Sequence, residues 1–138
     1  MKRLHTHFLS DDELQYFYDN VRMRKQLANA SHEHEKSVID KLAAIIPVRP
    51  HEKAYMCVER NPNGHEWHTD TGTMGHMQWC QVGVIVMLSK ITQYAGGWIY
   101  YDGFTLGLNQ NELIYHTSDV RHKVEPHTGD RRVLLFFL

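Results

Sequence analysis

Two cysteines in 138 residues are too few for a disulfide scaffold. Cys57 and Cys80 also lack the paired spacing of a zinc ribbon, so both read as buried, reduced thiols. No sign of charge prevails: 15 Lys plus Arg stand against 16 Asp plus Glu, and without a basic field nucleic acid is a disfavoured partner. Long hydrophobic runs are missing too. The longest, at 84–88 and 133–138, fall far short of the roughly 20 residues that span a bilayer. The opening Met1-Lys2-Arg3-Leu4-His5-Thr6-His7 has no apolar segment behind its charges, so no secretion signal is recognisable and the expected location is cytoplasmic. Repeats, linkers and low-complexity stretches are also lacking. What is present is enough chain for a single domain over residues 1–138, and an excess of histidine. Eleven histidines are roughly twice the usual share for this length, which makes metal chemistry the first property to test.

Residues 1–50 read as helical. Ser10 and Glu13 form a capping box, Leu9 and Leu14 a staple, and Leu14, Phe17, Tyr18 and Val21 follow helical spacing, which predicts a helix from about residue 11 to 28 with Arg22, Arg24 and Lys25 on its solvated side. A second helix is expected with Ser31 as cap, a stripe of Val38, Ile39, Leu42, Ile45 and Ile46, and a stop at Pro47 and Pro50. From residue 54 the pattern changes to short β-branched and aromatic runs between Gly, Pro and Asn. Strands are predicted at 54–59, 82–88, 97–101, 112–115, 122–125 and 131–138, with turns at 61–64, 95–97, 102–103 and 126–129. Two helices followed by such strands suggest a sandwich, a jelly roll or a small barrel with the helices packed outside.

The segment Gly64-His65-Glu66-Trp67-His68-Thr69-Asp70 carries the chemistry. His68 and Asp70, two apart, face the same way on an extended strand end and can reach one ion. His122 follows 54 residues after His68 and supplies a third ligand. Two imidazoles and a carboxylate with open positions make the facial triad of non-haem Fe(II) oxygenases. If 122–125 and 131–138 form a hairpin about the 126–129 turn, Arg131 lies near the metal but deeper, on one face with Val133, Leu135 and Phe137. There it is suited to hold a carboxylate in bidentate fashion.

His68-x-Asp70, then His122, then Gly129-x-Arg131 resembles the Fe(II)/2-oxoglutarate-dependent oxygenase superfamily, closest to its prolyl-hydroxylase-like branch, over residues 54–138. Ala95-Gly96-Gly97 and the stretch from Asn109 to Tyr115 are similar to that branch as well. The resemblance implies a mainly β, double-stranded β-helix (jelly-roll, cupin-like) core at 54–138, with the two N-terminal helices of 1–50 as outside support. It implies His68, Asp70 and His122 as catalytic iron ligands and Arg131 as the holder of the distal carboxylate of 2-oxoglutarate. Dioxygen is the other cosubstrate, and 2-oxoglutarate becomes succinate and CO2. A C–H bond is hydroxylated, on a protein side chain such as proline or on a small molecule. Two departures stand out. Val58 and Met87 occupy positions where prolyl hydroxylases often place pocket tyrosines, and the chain stops at Leu138 with no further element for a lid. Substrate contacts are therefore expected from the N-terminal helices and the 71–78 and 90–95 loops.

Rival readings are weighed on the same residues. His65-Glu66-Trp67-His68 is one residue short of the zinc hydrolase HExxH, and the 61–64 turn breaks the helix that motif needs. His5, His7, His32, His34 and His51 read as solvated surface, and His76, His116 and His127 as loop histidines. Arg132 competes with Arg131 for the inward position; the family spacing favours Arg131 and sends Arg132 to solvent. Trp67 and Trp98 are candidates for a substrate cleft or for plain core. The alternative in another functional class is a non-catalytic jelly-roll module that binds metal or 2-oxoglutarate.

Overall fold

The computed structural model describes residues 3–71 and 77–138; His76 and most of the 71–78 loop lie outside them. In chain order these residues form β1 (Arg3–His5), α1 (Asp11–Asp19), β2 (Arg24–Gln26), α2 (Glu33–Ile45), β3 (Tyr55–Glu59), β4 (His65–His68) and β5 (Val82–Met87). They continue through β6 (Tyr94–Gly96), β7 (Ile99–Tyr101), β8 (Phe104–Leu106), β9 (Leu113–Thr117), β10 (His122–Val124), β11 (His127–Gly129) and β12 (Val133–Phe137). The strands make an antiparallel six-stranded sheet in the order β1-β9-β5-β12-β3-β2, a four-stranded sheet β4-β10-β7-β8, and the pair β11-β6. The architecture is the jelly roll expected, with the two helices on the outer face of the large sheet.

Period-two burial divides the large sheet between two cores. Met56, Val58, Val84, Val86, Leu134 and Phe136 point outward and cluster with Phe17, Val38 and Leu42 of the helices. Ile85, Met87 and Val133 point inward, against Ile99, Tyr101 and Ile114. β5, with β9 and β12 as its neighbours, is buried along its whole length, as a strand covered on both faces must be.

The first helix is shorter than its periodicity suggests. The capping box of Ser10 and Glu13 starts it as expected, but the N–H of Asn20 closes on Phe17, and Arg22 takes φ +72°, a conformation no α-helix continues through. Residues 24–26 instead extend the sheet edge beside β3, with Arg22 N–H bonded to the Val58 carbonyl and Val58 N–H to that of Met23. The basic trio is accordingly not a helix face. Arg24 lies over the Tyr55 ring at 4.2 Å and Lys25 pairs with Glu35 at 2.9 Å. Glu35 is fully buried and also accepts from the Tyr16 hydroxyl and the Ser31 and His32 N–H groups. Burial alone raises a carboxyl pKa, but these donors outweigh it and hold Glu35 at about 2. The second helix is capped by His32 rather than Ser31: its Nδ1 accepts from His34 N–H at 3.0 Å while its ring stacks on Tyr16.

The expected hairpin between 122–125 and 131–138 does not form. β10 pairs with β4 and β7 in the small sheet, whereas β12 pairs with β3 and β5 in the large one. The reason lies in the intervening residues. His127–Gly129 is itself a strand, bonded to β6, and it carries the chain from one sheet to the other.

Candidate metal and cosubstrate site

The two sheets enclose a cavity of about 320 Å³, lined by residues of both. At one end β4 and β10 lie side by side with His68 opposite His122, and the chain leaving β4 brings Asp70 between them. Ligand atoms of His68, Asp70 and His122 all lie within 4.8 Å of one another, the arrangement a metal ion requires. The Nδ1–H of His68 donates to the Glu66 carbonyl at 2.6 Å and that of His122 to the Val120 carbonyl at 3.0 Å. These bonds fix both tautomers with Nε2 as the free donor atom. The two Nε2 atoms face Asp70 Oδ1 at 3.8 and 3.5 Å. Burial and the neighbouring His116 push His122 down to about 4, so at neutral pH it offers a lone pair rather than a proton.

The other oxygen of Asp70 is engaged separately. His116, on β9 and 1% exposed, bonds Asp70 Oδ2 through Nε2 at 2.7 Å and meets the Tyr101 hydroxyl at Nδ1 at 3.1 Å. This contradicts its reading as a loop histidine. Inward alternation from Ile114 would have found it had the predicted strand run one residue further. Gly83 on β5 makes room: a Cβ there would collide with Asp70 Oδ2.

Arg131, and not Arg132, lines the cavity, as neighbouring residues of an extended chain face opposite ways. Arg131 is 6% exposed and lines the cavity with Val133, Leu135 and Phe137, as expected. Its side chain lies along Gly97, whose φ is +71° and where a Cβ would come within 2.5 Å of Arg131 Cδ and Nε. Among the described residues its Nε has no hydrogen-bond partner; burial lowers its pKa, which Tyr94 beside the guanidinium and the charge of Glu59 oppose. Glu59, opposite Val133 on β3, also lines the cavity and is bonded to His65. Burial works against its charge, yet the bonds from His65 and Asn61 and the Arg131 cation hold its pKa below the usual range.

Arg132 turns outward but not into solvent. Its Nη1 donates to the Tyr18 carbonyl at 2.6 Å, its Nε to Asp130 at 2.9 Å, and its guanidinium lies 4.2 Å over the Tyr18 ring. Tyr18 in turn donates its hydroxyl to Asp130 at 2.5 Å and accepts from Gln93 at 2.9 Å. Both chain neighbours of Arg131 are thus tied to α1.

Some expectations fail at this level. Val58 points to the helices and Met87 into the core between the sheets, so neither lines the cavity; β3 presents Glu59 there instead. His127 is a buried strand residue rather than a loop histidine, with neither ring nitrogen partnered among the described residues. Trp67 and Trp98 lie off the cavity, Trp67 beneath Arg121 at 4.6 Å and Trp98 about half exposed.

No protein-family model matches the chain, and no curated protein matches it by sequence. Solved structures do. A 2OG-Fe(II) oxygenase family oxidoreductase from Burkholderia pseudomallei aligns with TM-score 0.66 and 12% identity, over 99% of this chain and 82% of that one. The fold is that of the 2-oxoglutarate/Fe(II) oxygenases. A Pseudomonas putida prolyl-4-hydroxylase aligns with TM-score 0.68 and 13% identity, over 99% and 90% of the two chains. A Trichoplax adhaerens prolyl hydroxylase, solved with a hypoxia inducible factor peptide fragment, gives 0.62 and 15%, over 99% and 83%. Within this fold, the donor set of two imidazoles and one carboxylate fits a divalent iron. The buried guanidinium of Arg131 fits the carboxylate of a small acid.

Proposed function

We propose that the protein is an Fe(II)- and 2-oxoglutarate-dependent dioxygenase, an oxidoreductase that hydroxylates a C–H bond. The observation that carries this reading is the meeting, in one cavity, of a His-Asp-His cluster with a buried arginine that lacks a partner at Nε. Glu59 lends Arg131 a neighbouring negative charge but no bond at Nε, and a dicarboxylate reaching from the metal ligands to Arg131 would supply that bond. His68, Asp70 and His122 would hold iron; Arg131 would hold the far carboxylate. Bound iron and 2-oxoglutarate supply oxygen activation, coupled to decarboxylation to succinate and CO2. The chain's own part is placement. Backbone carbonyls orient both imidazoles, Gly97 seats Arg131, and Ile85, Val133 and Leu135 keep water from a strongly oxidising centre.

A peptide substrate such as a prolyl residue is the finer reading. It is supported by the peptide-bound neighbour and by apolar cavity lining that includes Met77 and Phe137, with Tyr55 stacked on Phe137. In this reading residues 1–138 act as one domain, with 1–50 supporting the 54–138 core. No helix among the described residues is long and apolar enough to cross a membrane; a cytoplasmic site of action is proposed on the two free thiols, which burial pushes up to about 11.

The test is the visible spectrum of anaerobic protein titrated with Fe(II) and then 2-oxoglutarate. A charge-transfer band requiring both, lost in Asp70→Ala and weakened in Arg131→Ala, is the expected result, followed by succinate formation in air. No band from folded protein rejects the reading. A band without succinate under any substrate leaves the non-catalytic binding module.

A further inference from the structure

We propose that His116 is a positioning residue that keeps Asp70 a one-oxygen metal ligand, so that a coordination position stays open for the cosubstrate. The inference rests on the iron site assigned above and concerns a residue outside its ligand set. An unrestrained carboxylate beside a divalent metal can supply both oxygens, and a second oxygen from Asp70 would fill a position that a chelating 2-oxo acid needs.

The two oxygens of Asp70 are given different work here. Oδ1 faces the Nε2 atoms of His68 and His122, and Oδ2 is bonded to His116 Nε2 at 2.7 Å. Donor accounting fixes the direction of that bond. Asp70 Oδ2 is a carboxylate oxygen and can only accept, so His116 Nε2 carries a proton and donates it to Oδ2, while the Tyr101 hydroxyl meets Nδ1 at 3.1 Å. The relay is almost sealed from water, with the His116 and Asp70 side chains 1% and 5% exposed. Inside such a site a charge-assisted bond is not readily exchanged for a solvent one. Gly83 completes the arrangement, since the space a Cβ would occupy is the space Oδ2 takes. His116 is not a fourth ligand: one ring nitrogen is committed to Asp70 and the other to Tyr101.

The experiment compares the wild-type protein with His116→Leu and His116→Gln, each loaded with Mn(II). Water-proton relaxation counts exchangeable waters on the metal, and the free Mn(II) signal gives affinity. His116→Leu frees Oδ2 and is expected to cost ~10-fold or more in affinity and to lose one exchangeable water. His116→Gln keeps a donor near the Nε2 position and is expected to retain the wild-type water count. A merely structural role would weaken binding without changing that count. Equal counts in wild type and folded His116→Leu overturn the proposal. If His116→Leu does not fold, Gly83→Ala, which drives Oδ2 from its seat, takes its place with the same expected loss, and an unchanged count again overturns it. A wild-type protein that binds no Mn(II) rejects the metal site itself and the proposal with it.

Discussion

At the scale of single residues, the far end of the cavity turns on an atom that is missing. Gly97 has no side chain, and Arg131 occupies the space one would take. Gly97→Ala combines a backbone strained at φ +71° with a methyl 2.5 Å from Arg131 Cδ and Nε. The expected outcome is a displaced guanidinium and a 2-oxoglutarate requirement raised ~10-fold or more, with metal affinity unchanged. Titrating cosubstrate into the Mn(II) protein reads both quantities, and an unchanged 2-oxoglutarate affinity rejects the seat. The metal end was more legible in the sequence than this one. An i, i+2 pair needs only an extended backbone to converge, so His68 and Asp70 could be paired without knowing the fold. Alternation made Arg131 and Arg132 exclusive, and the choice of Arg131, on one face with Val133, Leu135 and Phe137, came from the Gly129-x-Arg131 spacing of the resemblance. Glu59 was not legible, because it joins the site through a strand register that local pattern does not set, whereas His116 was missed because the predicted strand stopped one residue short of it.

At the scale of elements, the boundary between α1 and β2 shows tertiary structure overriding propensity. Residues 20–28 continue an acceptable helical stripe, but the open edge of β3 offers backbone partners that a longer helix would leave unmet. The resulting strand brings Lys25 to Glu35, and this buried carboxylate joins β2, α1 and α2. Its pKa falls from 4.5 to about 2 on folding. A lowered carboxyl pKa adds stability that is present above about pH 4.5 and is lost as pH falls toward 2. The shift corresponds to about 3 kcal/mol at most. Urea unfolding between pH 6 and pH 3 is expected to show a drop that is smaller in Glu35→Gln, a variant already weaker at neutral pH. Equal pH slopes in the two proteins reject this account. The hairpin expected from the 126–129 turn fails by the same logic. Turn residues mark a change of direction, but which sheet receives the next strand is decided by the pairing of β11 with β6.

At the scale of the whole molecule, the proposed ligands join two layers. The His-Asp-His cluster is carried by β4, β10 and the chain just beyond β4, whereas Arg131 precedes β12 of the opposite sheet. A dicarboxylate spanning them cross-links the sheets. Ligand present at ~100 times its Kd contributes about 2.7 kcal/mol, on the order of 10 °C in Tm for a domain this size. Thermal melts are expected to rise in two increments, one with Mn(II) and a further one with 2-oxoglutarate. Arg131→Ala is expected to keep the first increment and lose the second. A second increment that survives in Arg131→Ala places the far carboxylate elsewhere.

The bonds from Tyr18 to Asp130 and Arg132 bear on the same division. They make the amino-terminal helix a splint for the segment proposed to recognise the cosubstrate, while the proposed metal ligands are oriented by backbone carbonyls of the barrel itself. On the proposed reading, a barrel prised off that splint would still grip a metal ion but would be deaf to the dicarboxylate.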